Sequence, residues 1–336
     1  MFLKVERCVF RLRKKSHAGK QIEPYRQIAD CFLPHLCIMK TIVMTGATSG
    51  IGKEAVQRLA QQPGTRIIVG ARGRGRIVPE GTEVFPLDLT SLESVRSFAA
   101  SVKKQLGDTT IDVLVLNAAV QAKDNQQQSA DGFELMFAVN HLSHYLLARL
   151  LWPHMTASGV IVFTTSDTHD PALIPFAPKT LDPHRLANPQ KKEWGMRAYA
   201  ASKLCNMLIA SYFMAISTKE GRGVSVIAYN PGLTGGTSLT GKPSRFMRIL
   251  LPLVLRPLSR VVSLFRPPFF VGTPERAGGV LADLASGEIR LPEGRVYASL
   301  VKGKVTFPDP SQLAQRDEVR DLLWRASAKM VGLSER

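Results

Sequence analysis

The chain has 336 residues, is 45% hydrophobic and carries a formal net charge of +17. That is enough apolar content for one large core or two small ones. It lacks an uninterrupted apolar run of 18 residues, which argues against a conventional membrane span. The basic balance would suit nucleic acid, an anionic membrane surface or an anionic ligand, but no recognition helix or aromatic-interleaved basic strand accompanies it, so nucleic acid is not an expected partner.

Residues 1–39 differ from the rest. Residues 1–40 hold nine Lys/Arg against three Asp/Glu, with Arg11, Arg13, Lys14 and Lys15 clustered. The segment has no sustained period and no signal-peptide pattern. It is expected to be a basic extension, either disordered or the product of a start assigned ahead of Met39-Lys40, the latter being favoured. Cys8, Cys31, Cys37 and Cys205 lack metal-site spacing and point to free thiols in a cytoplasmic protein.

From Lys40 strands and helices alternate. Thr41–Met44 reads as a short buried strand that runs into Thr45-Gly46-Ala47-Thr48-Ser49-Gly50-Ile51-Gly52. A helix is predicted over Lys53–Gln61, then strands at Arg66–Gly70 and Glu83–Pro86. A helix over Ser91–Gln105 precedes a strand at Asp112–Leu116. A long helix over Gly132–Trp152, a strand at Val160–Phe163, a helix over Arg197–Ser217 and a strand at Val224–Tyr229 come next. Val296-Tyr297 suggests a seventh strand, and Glu318–Val331 a closing helix. Apolar strands alternating with helices predict an α/β fold: a single Rossmann-type doubly wound parallel sheet with helices on both faces. Right-handed crossovers place its ligand at the carboxyl ends of the strands.

Two stretches interrupt this rhythm. Residues 167–196 are rich in Pro and polar residues. Residues 233–273 interleave Arg245, Arg248, Arg256, Arg260 and Arg266 with a dozen apolar residues. Insertions on the ligand side commonly build a substrate pocket. The second is expected to be a helical lid with an apolar inner face, its arginines toward water or anionic lipid; a helix pair packed on the sheet is the alternative.

The glycines Gly46, Gly50 and Gly52, after a strand and before a helix, suit close approach of a pyrophosphate to a helix N-terminus. Thr48, Ser49 and Ile51 complete that turn. After the second strand, where an acidic residue would select NAD, the chain has Arg72, followed by Arg74 and Arg76. Arginine suits a 2′-phosphate, so NADP(H) is the expected cofactor. Asp88 and Leu89 close the third strand, with Asp88 a partner for adenine, a turn residue, or both. Asn117 and Ala118 end the fourth strand beside the cofactor. Tyr199 and Lys203, one helical turn apart, form a candidate general acid and the ammonium that would lower its pKa. Ser166 would hydrogen-bond a developing oxyanion. Asn140 is either a member of a proton relay or a buried hydrogen-bonded residue. His141 and His144 share a helix face without a third ligand, so no metal is expected.

These residues resemble the short-chain dehydrogenase/reductase superfamily over about residues 40–300. Thr45–Gly52 matches its glycine motif, Asn117-Ala118-Ala119 its fourth-strand motif, and Asn140, Ser166, Tyr199 and Lys203 its catalytic residues. Pro231-Gly232 matches the turn that closes over the nicotinamide, with Thr234 near the carboxamide. Asp131-Gly132-Phe133-Glu134, Val139–Leu142 and the long gap from Ser166 to Tyr199 are similar to the retinol-dehydrogenase and protochlorophyllide-reductase branch. The resemblance implies transfer of the pro-S hydride and a homo-oligomer built through two long helices. The function expected is NADP(H)-dependent interconversion of a carbonyl and an alcohol on an apolar substrate. Reduction of a conjugated C=C in a tetrapyrrole-like ring is one alternative, a non-catalytic NADP sensor the other. Peripheral contact with an anionic membrane is a further option.

Overall fold

A computed structural model describes residues 39–73, 77–235 and 270–335. Eight strands form one sheet in the order β3-β2-β1-β4-β5-β6-β7-β8. Strands β1 (Lys40–Thr45), β2 (Thr65–Ala71), β3 (Glu83–Pro86), β4 (Ile111–Leu116), β5 (Met155–Thr164), β6 (Ser225–Asn230) and β7 (Tyr297–Val301) are parallel. The order reverses direction at β1 and β4, the switch point at which such sheets bind ligands.

The side chains of β1 alternate as a strand buried on both faces requires. Ile42 and Met44 join a core shared with helices α1 (Gly50–Ala60) and α6 (Pro274–Ser286), while Val43 joins the core of the opposite face. That second face carries α2 (Leu92–Leu106), α3 (Leu135–Leu151), α5 (Gly195–Lys219) and α7 (Asp317–Met330). Helices α1 and α6 lie so close that a Cβ on Gly278 would come within 2.5 Å of Glu54 Cβ.

The structure departs from the sequence reading in four places. The third helix of the sheet begins at Leu135 rather than Gly132. It comprises an α-turn (Leu135–Phe137), a π-helical segment (Ala138–Leu142) and an α-segment (Ser143–Leu151), together α3. Strand β5 starts at Met155, five residues early, because its exposed Ala157 and Ser158 carry no apolar signal. A strand β8 (Lys304–Thr306), not expected, pairs antiparallel with β7 across a two-residue turn in which Lys302 and Gly303 both have positive φ. Such turns match the twist of a hairpin, but Lys-Gly is a weak signal for one. Finally, the stretch 167–196 contains a 3₁₀ turn (Asp167–His169) and a short helix α4 (Pro183–Ala187), which Asp182 caps.

Helix α7 lies against the outer side of α3 and α5. Trp324 stacks on Tyr212 (3.8 Å, 11°) and meets Tyr145 and Phe213 edge-on at 5.0 and 5.4 Å. Arg149 lies over the same indole at 4.6 Å, and His141 Nε2 is 2.9 Å from Ser327 Oγ. The C-terminal helix thus fills a surface that the two long helices would otherwise offer. Among the described residues, one helix, α5, is long and apolar enough to cross a membrane, and 72% of its most apolar window is buried inside the chain.

Candidate active site

The ends of three strands are tied together before any ligand is considered. Thr45 Oγ1 accepts the backbone N–H groups of Asn117 (3.1 Å) and Ala118 (3.2 Å). Both lone pairs are then used, so its own proton goes to His144 Nε2 at 3.0 Å. His144 is therefore the neutral Nδ1–H form, which donates to the Asn140 carbonyl at 3.1 Å. Burial and the nearby Lys203 charge hold its pKa down at about 4. Asn117 Nδ2 donates to the Gly46 carbonyl, and Thr164 Oγ1 donates to Asn117 Oδ1, each at 3.1 Å.

This lattice explains the glycines. Gly46 has φ +70°, and a Cβ there would lie 2.7 Å from the Ala118 backbone; one on Gly52 would lie 2.0 Å from the Gly46 carbonyl oxygen. Helix α1 opens at Gly50 with no acidic residue in its first turn, so the positive end of its dipole meets no carboxylate there.

A cleft of about 450 Å³ opens at these strand ends. Gly46, Thr48, Ser49, Gly50, Ile51 and Gly52 line one side; Arg72, Asp88 and Leu89 stand past β2 and β3, and Asn117 and Ala118 past β4. Ser166, Tyr199 and Lys203 line the same cleft, as do Pro231, Gly232 and Thr234 beyond β6. Asp88 Oδ1 accepts from Thr90 N (3.0 Å) and Thr90 Oγ1 (2.9 Å), so its turn role is present alongside its place in the cleft. Arg72 is exposed at the rim; Arg74 and Arg76 lie outside the described residues.

Asn140 stands apart. It is fully buried in the π segment, and its side chain is engaged by the chain itself. Oδ1 accepts from Val120 N at 2.8 Å, while Nδ2 donates to Val120 O and Ser202 Oγ, both at 3.0 Å. The side chain thus anchors the cleft-lining Val120 loop.

Helix α5 sets Tyr199 and Lys203 one turn apart, with Lys203 1% exposed. Its Nζ lies 5.4 Å from the Tyr199 ring centroid and donates to the Thr164 carbonyl at 3.1 Å. Burial lowers the ammonium from 10.5 to about 7 and raises the phenol well above its usual value. On the phenol this burial acts against the lowering expected of a neighbouring ammonium. A buried ammonium that lines the cleft and donates to one carbonyl has further donor capacity, which suits a polyhydroxylated, anionic cofactor. The positive end of α1 in the same cleft fits the same group.

Ser166 lies two residues past the end of β5 and caps the 3₁₀ turn, accepting from Thr168 N at 3.3 Å. The next residue, Asp167, was missed in sequence. Its Oδ1 accepts from the Tyr297 hydroxyl at 2.6 Å and from Ser299 Oγ at 3.5 Å. Ser299 in turn accepts from Asn230 Nδ2 at 2.9 Å, and Asn230 Oδ1 accepts from Gly232 N at 3.0 Å. One chain of bonds therefore joins the Ser166 turn to the Pro231-Gly232 turn. His169 Nε2 accepts from Ser311 N at 3.3 Å, which puts its proton on Nδ1, 2.7 Å from the Ser166 carbonyl. The only sequence signals for these partners were their places beside Ser166 and Pro231.

The insertion leaves and re-enters at the rim. Leu233 O accepts from Gly272 N at 2.8 Å, and Thr234 pairs with Gly272. The body of the expected lid, 236–269, lies outside the described residues.

The family model for short chain dehydrogenases matches residues 40–175. The chain is 32% identical over 323 residues to protochlorophyllide reductase B of Hordeum vulgare, spanning 87% of this chain and 78% of that one. It is 31% identical over 308 residues to retinol dehydrogenase 13 of Mus musculus, spanning 88% and 84%. Among solved structures, a Mycobacterium paratuberculosis protein shares the fold with a TM-score of 0.63 at 23% identity, covering 88% of this chain and 95% of that one. An alcohol dehydrogenase from Thermococcus sibiricus, solved with 5-hydroxy-NADP, also shares it, with a TM-score of 0.52 at 21% identity over 81% and 99%. The chain belongs to the short-chain dehydrogenase/reductase superfamily, whose members are oxidoreductases that bind NAD(P)(H), in the branch of the retinol dehydrogenases and protochlorophyllide reductases.

Proposed function

We propose that the protein is an NADP(H)-dependent oxidoreductase that interconverts a carbonyl and an alcohol on an apolar substrate. The observation that carries this reading is the burial of Tyr199 and Lys203 side by side in the cleft that also holds Ser166 and the glycine turn. When bound, the nicotinamide supplies or accepts the hydride. Every other role falls to the chain.

Lys203, held by the Thr164 carbonyl, donates its remaining N–H groups to ribose hydroxyls. Hydroxyl acceptors and the cofactor's negative charge favour the ammonium form and offset its desolvation. The Tyr199 hydroxyl gives its proton to the substrate oxygen in reduction and takes it back in oxidation. The Ser166 hydroxyl donates to the same oxygen as negative charge grows there. Arg72 pairs with the 2′-phosphate, which distinguishes NADP(H) from NAD(H). Asp88 and Leu89 would hold the adenine end of the cofactor, and Pro231, Gly232 and Thr234 its nicotinamide end.

A turnover screen of apolar aldehydes, ketones and alcohols with NADPH or NADP tests this reading. Oxidation or reduction of none of them, with NADPH bound, would return the protein to the sensor reading. Its 32% identity to a protochlorophyllide reductase supports a second reading, reduction of a ring C=C. Activity on a conjugated cyclic enone that consumes the alkene and spares the carbonyl would favour it. An oligomer formed through α3 and α5 would require α7 to move aside, because Trp324 fills their outer face. Peripheral contact with anionic lipid through the basic segment 236–269 is tested by salt-sensitive sedimentation with vesicles.

A further inference from the structure

Of the three tryptophans, Trp152 and Trp324 are 8% and 1% exposed, whereas Trp194 is 55% exposed. Its indole meets Phe176 edge-on, centroid to centroid 4.9 Å at 73°. The pair adjoins the cleft lining along the chain without itself lining the cleft. Ile174 and Met196, each two residues away, line that cleft, as does Leu233, itself 51% exposed.

The exposure is built into the backbone. Trp194 bridges Asp124, Gly195 N donates to the Lys123 carbonyl at 2.9 Å, and Lys192 Nζ pairs with Asp124 Oδ2 at 3.1 Å. A Cβ on Gly195 would lie 2.0 Å from the Ala122 carbonyl oxygen, so this strap sits flush on its neighbour. The indole therefore cannot be drawn into the core by a small backbone shift. A rigid aromatic side chain held in water forgoes the free energy of burial, and it loses little further entropy on meeting a ligand.

We infer that Trp194 and Phe176 form an aromatic port that selects flat, ring-containing apolar substrates over acyclic ones of similar hydrophobicity. The inference rests on the oxidoreductase reading and specifies its substrate class. Continuity with the cleft through Ile174 and Met196 favours a substrate over a lipid surface.

Two measurements on the full chain test the port. In the first, the NADP-loaded protein is titrated with acrylamide in the presence of 2-naphthaldehyde or decanal; with no hydride donor neither aldehyde is consumed. The expected result is that 2-naphthaldehyde lowers the collisional quenching of Trp194 severalfold and decanal does not, with the effect absent in Trp194→Phe, which lacks the reporter. In the second, NADPH-dependent turnover is followed. Trp194→Ala is expected to raise KM for 2-naphthaldehyde about threefold to tenfold, while kcat, the KM for decanal, NADPH affinity and Tm hold, and Trp194→Phe keeps the wild-type KM. Protection without turnover of any aldehyde would sink the reductase reading and leave the port standing. Turnover without protection, or equal KM changes for both aldehydes, would overturn the port. Protection by phosphatidylglycerol vesicles in place of 2-naphthaldehyde would overturn it in favour of a membrane contact.

Discussion

Lys203 Nζ lies 5.4 Å from the centre of the Tyr199 ring, and both side chains are buried. Burial brings the ammonium down to about 7, so the free protein loses this charge as pH rises through neutrality. If the charged form holds the cofactor, the Kd for NADPH rises above about pH 7, by up to tenfold per pH unit. Calorimetric titrations at pH 6.5 and 8.5 in two buffers would show proton uptake at the higher pH, and Lys203→Met would abolish it. An unchanged Kd across that interval would mean that the ammonium does not bind the cofactor.

Tyr199→Phe removes the proton donor and little else. It is expected to lower kcat by at least ~10²-fold, the usual scale for a general acid, with NADPH affinity nearly intact. Near-full turnover would end the assignment.

Arg72 stands exposed at the rim, past the end of β2. Arg72→Asp exchanges a phosphate partner for a repelling charge, so the ratio of kcat/KM for NADPH over NADH is expected to fall by at least ~10-fold. A wild-type protein that already prefers NADH would contradict the role given to this residue.

His141 and His144 are buried neutral, with pKa values held down at about 3 and about 4. Unfolded, each would bind a proton near 6.5. Between these values the unfolded chain binds more protons than the folded one, so stability falls as pH drops below 6.5. Each histidine contributes a loss of roughly 1–3 kcal/mol by pH 4.5. Denaturant melts at pH 7 and 4.5 should show the loss, and His141→Gln should lessen it. Equal stability at both values would mean that these rings are protonated in the fold.

Trp324→Ala would empty the contact between α7 and the α3–α5 pair. The expected cost is about 3–5 kcal/mol, seen as a lowered Tm. A loss under 1 kcal/mol, with an unchanged monomer–oligomer distribution by light scattering, would show that α7 is loosely held.

Local patterns made much of this protein legible from its sequence. Period-2 and period-3.6 spacing marked most strands and helices, and the glycines before a helix and the Tyr-x-x-x-Lys spacing marked the cleft, because each depends on neighbours a few residues away. The early start of β5 escaped because Ala157 and Ser158 are exposed and polar or small, and β8 because three residues carry no period. What only tertiary structure decided involves partners distant in the chain. The proton of His144 is placed by Thr45, 99 residues away, and the Ser166 turn is tied down by Tyr297, 130 residues from Asp167. Even the Tyr199–Lys203 pair, obvious in spacing, changed its meaning. A sequence sets the distance between a phenol and an ammonium along a helix, but how strongly water is excluded from both depends on everything packed around them, and here that exclusion sets the direction of both shifts.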